Sequence, residues 1–412
     1  MADTFDTIIH LVSDQTMQNV LPILALRPRR VIQVHSPSPA FVRKAQHTRD
    51  AVALAQRTVP KLGNDAPAIE WEEVALHEPF PGLAETAAVI RPFLARAELG
   101  RICVNYTGGT KNMSIGAWKA ASEEGVATLY CDTPRAFLGG GTAPLDIPIG
   151  LMQVAALLNT PIVLSSHGLN QVHDWISSQI PASGLKIGQI GYDLLRRFGP
   201  EFIDYRSQLE SMAKSARAPY VVPAPGNPEF EEYLRAAQRR RLMEIRDGQL
   251  IYSFDTGAVR QSVKERLHEI SKELVGGAFE GYVASLLSNS RKYSHFLSNV
   301  KLTTVPGRSD GQGGESDLVA YSPKSIGLTL ISCKCSYVRL EHLEATVTRK
   351  ARLGGLYAGA LICVERASSF EAARIRRWCD ILRMNCAFGF VDNSEQDEIP
   401  EALGVERDTA TR

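Results

Sequence analysis

Between Gly313 and Cys335 the chain reads GGESDLVAYSPKSIGLTLISCKC. Two apolar-rich runs, Asp317–Tyr321 and Gly327–Cys335, flank a Ser-Pro-Lys-Ser turn, the pattern of a β-hairpin with a slightly long loop. Strand alternation puts Glu315 and Asp317 on one face of the first strand. In the second, Ser332 and Lys334 share one face and Cys333 and Cys335 the other. Acids and a lysine on neighbouring strands suit one chemistry in particular. The carboxylates hold Mg²⁺ or Mn²⁺, and the lysine orients or activates a water and neutralises charge developing on a phosphate. A solvated surface hairpin would carry the same residue types.

A second set of polar residues lies near the other end of the chain. Ser13–Asn19 and Asn105–Ser114 each follow an apolar run that reads as a strand. In the second loop, Gly108-Gly109 lets the backbone come close to an anion, and free N–H groups at a helix start, with Thr110 and Lys111, can hold phosphate. The spacing is neither a Walker A loop nor GxGxxG, which removes support from ATPase and dinucleotide readings. A strand-to-helix turn that simply needs glycine would look similar.

These loops need elements to position them. Residues 1–150 alternate strand and helix: strands at Thr7–Val12, Arg30–His35, Ile69–Ala75, Arg101–Tyr106 and Ala127–Asp132, with helices between them. That rhythm predicts a mostly parallel, doubly wound sheet, whose ligands bind beyond the carboxyl ends of the strands. The sequence from 151 to 265 is less legible. An amphipathic stretch at 168–179, helices at Gly188–Phe198 and Tyr205–Lys214, a Pro-rich boundary at Pro219–Pro228 and a charged helix over Glu229–Arg246, with Arg239-Arg240-Arg241, are expected there. From Val259 to Leu287 one or two helices follow. After the hairpin come a helix at 339–353, a strand at Tyr357–Glu365, a helix at 370–383 and a last strand at Phe388–Val391.

The chain has 412 residues, 44% hydrophobic and 22% charged, enough for two or three domains with proper cores. A net charge of +1 leaves any nucleic-acid surface to a local patch. Seven cysteines without paired spacing exclude a disulfide framework, and Cys333 and Cys335 read as core rather than metal ligands. With no signal-peptide pattern and no apolar run long enough to span a bilayer, a cytoplasmic protein without a membrane partner is expected.

The hairpin resembles the PD-(D/E)xK nuclease superfamily, in which an Asp precedes Glu-x-Lys on the next strand. Asp317 matches the Asp and Lys334 the lysine, and Phe279-Glu280-Gly281-Tyr282 resembles the superfamily's additional N-terminal glutamate. Ser332 stands where the Glu of Glu-x-Lys belongs, so a further acid would come from Glu280, Glu315 or the following helix (Glu341, Glu344). The two N-terminal loops, LVSDQT with Asn19 and NYTGGTKNMS, resemble the CARF domain of CRISPR-associated effectors. The pairing of both halves on one chain resembles the Card1/Can2 group.

What this resemblance implies covers nearly the whole chain. The fold would be α/β, with an N-terminal Rossmann-like doubly wound parallel sheet at 1–150. A mainly helical connecting region at 151–265 and a C-terminal α/β restriction-endonuclease-like nuclease domain at 266–412 would follow. The protein would be a homodimer that binds cyclic oligoadenylate, most readily cyclic tetra-adenylate. Ligand contacts carried over are Ser13, Asp14, Gln15, Thr16, Asn19, Thr107, Gly108, Gly109, Thr110, Lys111 and Asn112, with Ser36 and Ser38 as weaker candidates. Binding would activate a nuclease in type III CRISPR antiviral defence, cleaving or nicking DNA, RNA or both, with single-stranded substrate favoured. Asp317, Glu280 and Glu315 would ligate Mg²⁺ or Mn²⁺, with Lys334 beside them and Ser332 in the place of the family's Glu. Two rival functions remain: a ligand-binding regulator whose nuclease domain is degenerate, and a ring nuclease that degrades the cyclic ligand.

Overall fold

The computed structural model describes residues 5–133, 135, 137–140, 143–144, 149–169, 175–180, 182–215, 221–223, 227–238, 243–246, 249–252, 273–302, 314–335, 337–354, 358–392 and 397–406. The N-terminal part is built as the alternation requires. Strands β1 (Thr7–Leu11), β2 (Arg30–His35), β3 (Glu70–Ala75), β4 (Ile102–Asn105) and β5 (Ala127–Asp132) alternate with helices α1 (Met17–Leu26), α2 (Pro39–Thr58), α3 (Pro60–Gly63), α4 (Leu83–Leu94) and α5 (Lys111–Glu123). These strands pair in parallel in the order β3-β2-β1-β4-β5. Two antiparallel strands not foreseen from the sequence, β6 (Phe137–Gly140) and β7 (Ala143–Pro144), extend the far edge. The central strands read as continuous apolar runs because helices cover both faces: β1 is buried at every position.

The order reverses between β1 and β4, so the loops leaving these two strands flank a crevice at the sheet's carboxyl edge. In open α/β sheets that is where ligands sit.

Two short helices, α6 (Leu151–Leu157) and α7 (Thr160–Ser166), follow, then α8 (Ala182–Phe198), α9 (Pro200–Ser215) and α10 (Pro228–Gln238). Two expectations here are corrected. Within the amphipathic stretch 168–179, expected to be helical, Trp175–Ile176 form a short strand, β8, paired with the edge of the C-terminal sheet. The charged helix expected through Arg246 ends at Gln238; Met243–Arg246 (β10) instead pairs with Gln249–Tyr252 (β11), which pairs with Val221–Pro223 (β9). Asp247-Gly248 between two alternating runs is a hairpin signal that outweighs the charge pattern. Arg239-Arg240-Arg241, the 259–272 part of the helices expected over Val259–Leu287, and residues 303–313 lie outside the described residues.

The C-terminal sheet has six strands in the order β16-β15-β14-β13-β12-β8. Here β12 is His295–Leu302, β13 Glu315–Ser322, β14 Gly327–Lys334, β15 Gly359–Ala367 and β16 Asn385–Val391. The hairpin β13–β14 is antiparallel, whereas β14, β15 and β16 run parallel. Helix α11 (Ala278–Ser288) packs on one face with α8; α12 (Leu340–Gly354) and α13 (Ser369–Leu382) cover the other, and α14 (Ile399–Ala402) closes the end. Gly188 and Gly281 are what let α8 and α11 touch. A Cβ on Gly188 would meet the Tyr282 backbone at 2.2 Å, and one on Gly281 would meet the Gly184 carbonyl at 2.4 Å.

Buried polar contacts join the layers. Arg206 of α9 forms an ion pair with Glu365 at the end of β15 at 2.8 Å, both nearly inaccessible. Tyr321 of β13 donates its hydroxyl to the Ala155 carbonyl of α6 at 2.9 Å, and Thr160 of α7 lies 3.0 Å from His295 Nδ1 on β12. No helix among the described residues is long and apolar enough to cross a membrane.

Candidate functional site

The crevice between β1 and β4 is assembled by one buried asparagine. Asn105, the last residue of β4 and fully buried, donates to the Gln18 carbonyl at 3.0 Å and the Asn19 side chain at 3.3 Å. Its oxygen accepts from the Thr107 backbone at 3.1 Å and the Thr107 hydroxyl at 2.7 Å. Asn19 in turn donates to the Leu11 carbonyl at 3.0 Å. The two loops are thereby locked edge to edge. Gly108 is required for this approach: a Cβ there would sit 2.2 Å from the Leu11 carbonyl oxygen. Gly109 has φ +75°, the left-handed region that favours glycine.

Helix α5 begins at once. Thr110 is its N-cap, accepting from the Met113 N–H at 3.3 Å, and Ser114 donates back to the Gly108 carbonyl at 2.8 Å. The N–H groups of Lys111 and Asn112 open the helix, beside the exposed side chains of Thr110, Lys111 and Asn112. Asp14 and Gln15 face the same edge from the first loop, while the Ser13 hydroxyl accepts from the Gln15 N–H at 3.2 Å. Free N–H groups, a helix N-terminus and a lysine favour an anion.

Thr16 and Asn19 stand differently from the other candidates. Both are fully buried. Asn19 holds Leu11, and Thr16 donates its hydroxyl to the Ser166 carbonyl at the end of α7. These two fix the loop from behind. Asn105 opens the second loop in the sequence but is not among the ligand contacts expected there; its signal as a brace is an amide at the end of an otherwise apolar strand. Ser36 is buried and Ser38 caps α2, accepting from the Ala40 N–H at 3.4 Å.

The hairpin site is built by register. The Asp317 carboxylate accepts from the Cys333 N–H at 2.6 Å and the Ser332 hydroxyl at 3.2 Å, and the Lys334 ammonium stands 3.6 Å away. The Leu318–Ile331 register therefore brings Asp317 together with Ser332 and Lys334, the two residues that alternation places on one face of β14. Glu315 points to the next strand, where Lys301 is its register partner with its ammonium 4.0 Å distant. Glu280 lies half-buried in the first turn of α11. Burial pushes both the Cys333 and Cys335 thiols well up, with Glu280 a smaller electrostatic contributor to each.

Among the described residues no three His, Cys, Asp or Glu side chains converge closely enough to hold a metal ion. Among the described residues, the groups that meet the Asp317 carboxylate are the Ser332 hydroxyl, the Cys333 N–H and the Lys334 ammonium. Mg²⁺ is bound by carboxylates and water, so this set does not fit the metal centre expected from the sequence.

Residues 7–136 match the family profile of the Card1 CARF domain. The N-terminal domain is a CARF domain of the Card1 type. Curated protein sequences give no significant match to the chain. Among solved structures, protein VC1899 from Vibrio cholerae superposes with a TM-score of 0.64 at 14% identity, covering 97% of this chain and 95% of that one. Can2 from Sulfobacillus thermosulfidooxidans, solved in complex with cyclic tetra-adenylate, gives 0.60 at 17% identity, again covering 97% and 95%. At such identities these likenesses speak for the fold: the CARF domain and the C-terminal sheet together follow an architecture shared along the whole chain.

Proposed function

We propose that this protein is a cytoplasmic effector of type III CRISPR defence that binds a cyclic oligoadenylate. Its preferred ligand is cyclic tetra-adenylate, enclosed between the CARF domains of a homodimer. The observation that carries this reading is the loop pair at the β1/β4 switch point, with Gly108 against Leu11 and α5 opening on Lys111. A two-fold dimer doubles that phosphate loop, which suits a two-fold cyclic ligand. Ile115 and Trp118, 49% and 46% exposed on α5 beside the loop, offer apolar surface for the dimer contact.

In this reading the ligand activates cleavage of DNA or RNA phosphodiesters by the C-terminal domain. Asp317 orients Lys334, and the ammonium neutralises charge developing on the phosphate. Mg²⁺ or Mn²⁺ is the activator that the resemblance implies, but the groups around Asp317 do not fit a metal. A second reading, a ligand-binding regulator whose nuclease domain has lost its chemistry, is favoured by the Ser332–Asp317 hydrogen bond standing in the place of a carboxylate. One assay separates them. Supercoiled plasmid, single-stranded DNA and single-stranded RNA are incubated with the protein and Mn²⁺ or Mg²⁺, with and without cyclic tetra-adenylate. Ligand-dependent cleavage lost in Lys334→Ala supports the nuclease; intact substrates with bound ligand support the regulator. Linear products of the cyclic ligand itself would make the protein a ring nuclease.

A further inference from the structure

Lys334 ends β14, and the chain beyond it carries an aromatic and cationic strip. Tyr337 is 55% exposed and has two arginines near it, with Arg339 Cζ 6.0 Å and Arg374 Cζ 5.3 Å from its ring centre. The Arg374 guanidinium also covers the Trp378 ring at 4.9 Å. Its Nε and one terminal nitrogen are buried with no hydrogen-bond partner among the described residues, although such donors are nearly always satisfied. His342 links the strip to the hairpin: burial lowers its imidazole first, and Lys334 lowers it further.

A cavity of about 400 Å³ opens beside Tyr337, at the carboxyl ends of the parallel strands β15 and β16. Its floor is Val338, Val364, Ile375 and Phe390. Val364 is the register partner of Lys334, so the cavity lies one strand away from the hairpin site. Glu371 at its wall is occupied in capping α13 through Ser368. Asp204, Asp392 and Arg366 also line it, so its wall offers carboxylates that can accept N–H groups beside one guanidinium. An apolar floor with acceptors at its rim, beside an exposed ring, suits a planar base whose phosphates stay outside, near the arginines that flank the ring.

We propose that Tyr337, Arg374 and this cavity form a single-stranded nucleic-acid subsite, in which one base stacks on Tyr337 and enters the cavity while the flanking phosphate meets Arg374. The subsite rests on the nuclease reading above and supplies the strand-holding surface that reading needs. It commits to single strands, because a paired base cannot leave its stack for the cavity without a further cost in free energy.

The test uses the full-length protein saturated with cyclic tetra-adenylate, in EDTA, and a short fluorescein-labelled oligonucleotide followed by anisotropy. Tyr337→Ala weakens binding by roughly tenfold or more, the scale of one base–aromatic stack. Tyr337→Phe retains wild-type affinity, and Arg374→Lys, which keeps charge without the planar stack, loses affinity. Phe80→Ala, at a 91% exposed position far along the chain, changes nothing. An oligonucleotide of abasic sugar-phosphates loses the same factor on the wild type and nothing further on Tyr337→Ala. Equal affinity of wild type, Tyr337→Ala and Arg374→Lys for the ordinary oligonucleotide, or an equal abasic loss in wild type and Tyr337→Ala, overturns the subsite and leaves the nuclease reading standing. A wild type that binds no oligonucleotide, with or without the cyclic ligand, overturns both.

Discussion

Replacing Gly108 by alanine tests whether the two CARF loops must touch for the ligand to bind. The added Cβ would stand 2.2 Å from the Leu11 carbonyl oxygen, more than an ångström inside ordinary contact at 3.4 Å, and 3.2 Å from its carbon. Leu11 is backbone at the end of a fully buried strand, and its oxygen is already held by Asn19, so the loop cannot yield as a side-chain tip could. Overpacking of this kind costs about 1–3 kcal/mol, and a lost Asn19 hydrogen bond would add roughly 1 kcal/mol. If the ligand needs the native spacing, the overpacking cost alone lowers affinity between about fivefold and about 150-fold, since each 1.4 kcal/mol is about tenfold. Gly109→Ala should cost about 1–2 kcal/mol by a different route, its left-handed backbone. The assay is calorimetric titration of cyclic tetra-adenylate into each variant, with a thermal melt to follow stability. Wild-type affinity and melting in Gly108→Ala would refute the reasoning, because then the loops are free to separate.

Three other outcomes follow from the same geometry. Lys111→Ala, exposed at the first position of α5, should weaken ligand binding by about 1.5–3 kcal/mol, as for hydrogen bonds to charged groups, without shifting the melt; titration and melting together check it. Ser332→Glu restores a carboxylate beside Asp317, so Mn²⁺ affinity by calorimetry and ligand-dependent cleavage should both rise; unchanged values would mean that an acid elsewhere already fills the role. Arg206→Ala leaves Glu365 as a buried unpaired charge and should destabilise the C-terminal domain by about 3–5 kcal/mol in denaturant unfolding, whereas a loss under about 1 kcal/mol would show that water reaches the pair.

Much of the fold was legible because burial on both faces leaves a strong pattern. TIIHLV, RVIQVH and RICVNY are short apolar runs closed by polar loops, and each is a strand within a residue or two of its expected ends. The hairpin was legible for a related reason: alternation pairs Ser332 with Lys334 on one face of β14 and Glu315 with Asp317 on one face of β13, and the Leu318–Ile331 register then sets Asp317 beside Ser332. What failed was local. A strand as short as Trp175–Ile176 is too brief to show a period, and only its pairing with Lys301 and Leu302 makes it one. The charge-rich Glu229–Arg246 concealed a change from helical to strand periodicity. Inside the crevice, residue type could not separate Lys111, which faces out, from Thr16 and Asn19, which face in. A threonine or asparagine serves equally as ligand contact or as buried brace, and tertiary packing alone decides which.

The central claim is that the CARF domains of a dimer enclose one cyclic oligoadenylate. Calorimetric titration of cyclic tetra-adenylate into the full-length protein, with the mass of the complex measured by light scattering, tests it most directly. The account predicts saturable binding of one ring per two chains, weakened in Lys111→Ala and Gly108→Ala. Absence of binding, or one ring held by each monomeric chain with both variants unaffected, would contradict it.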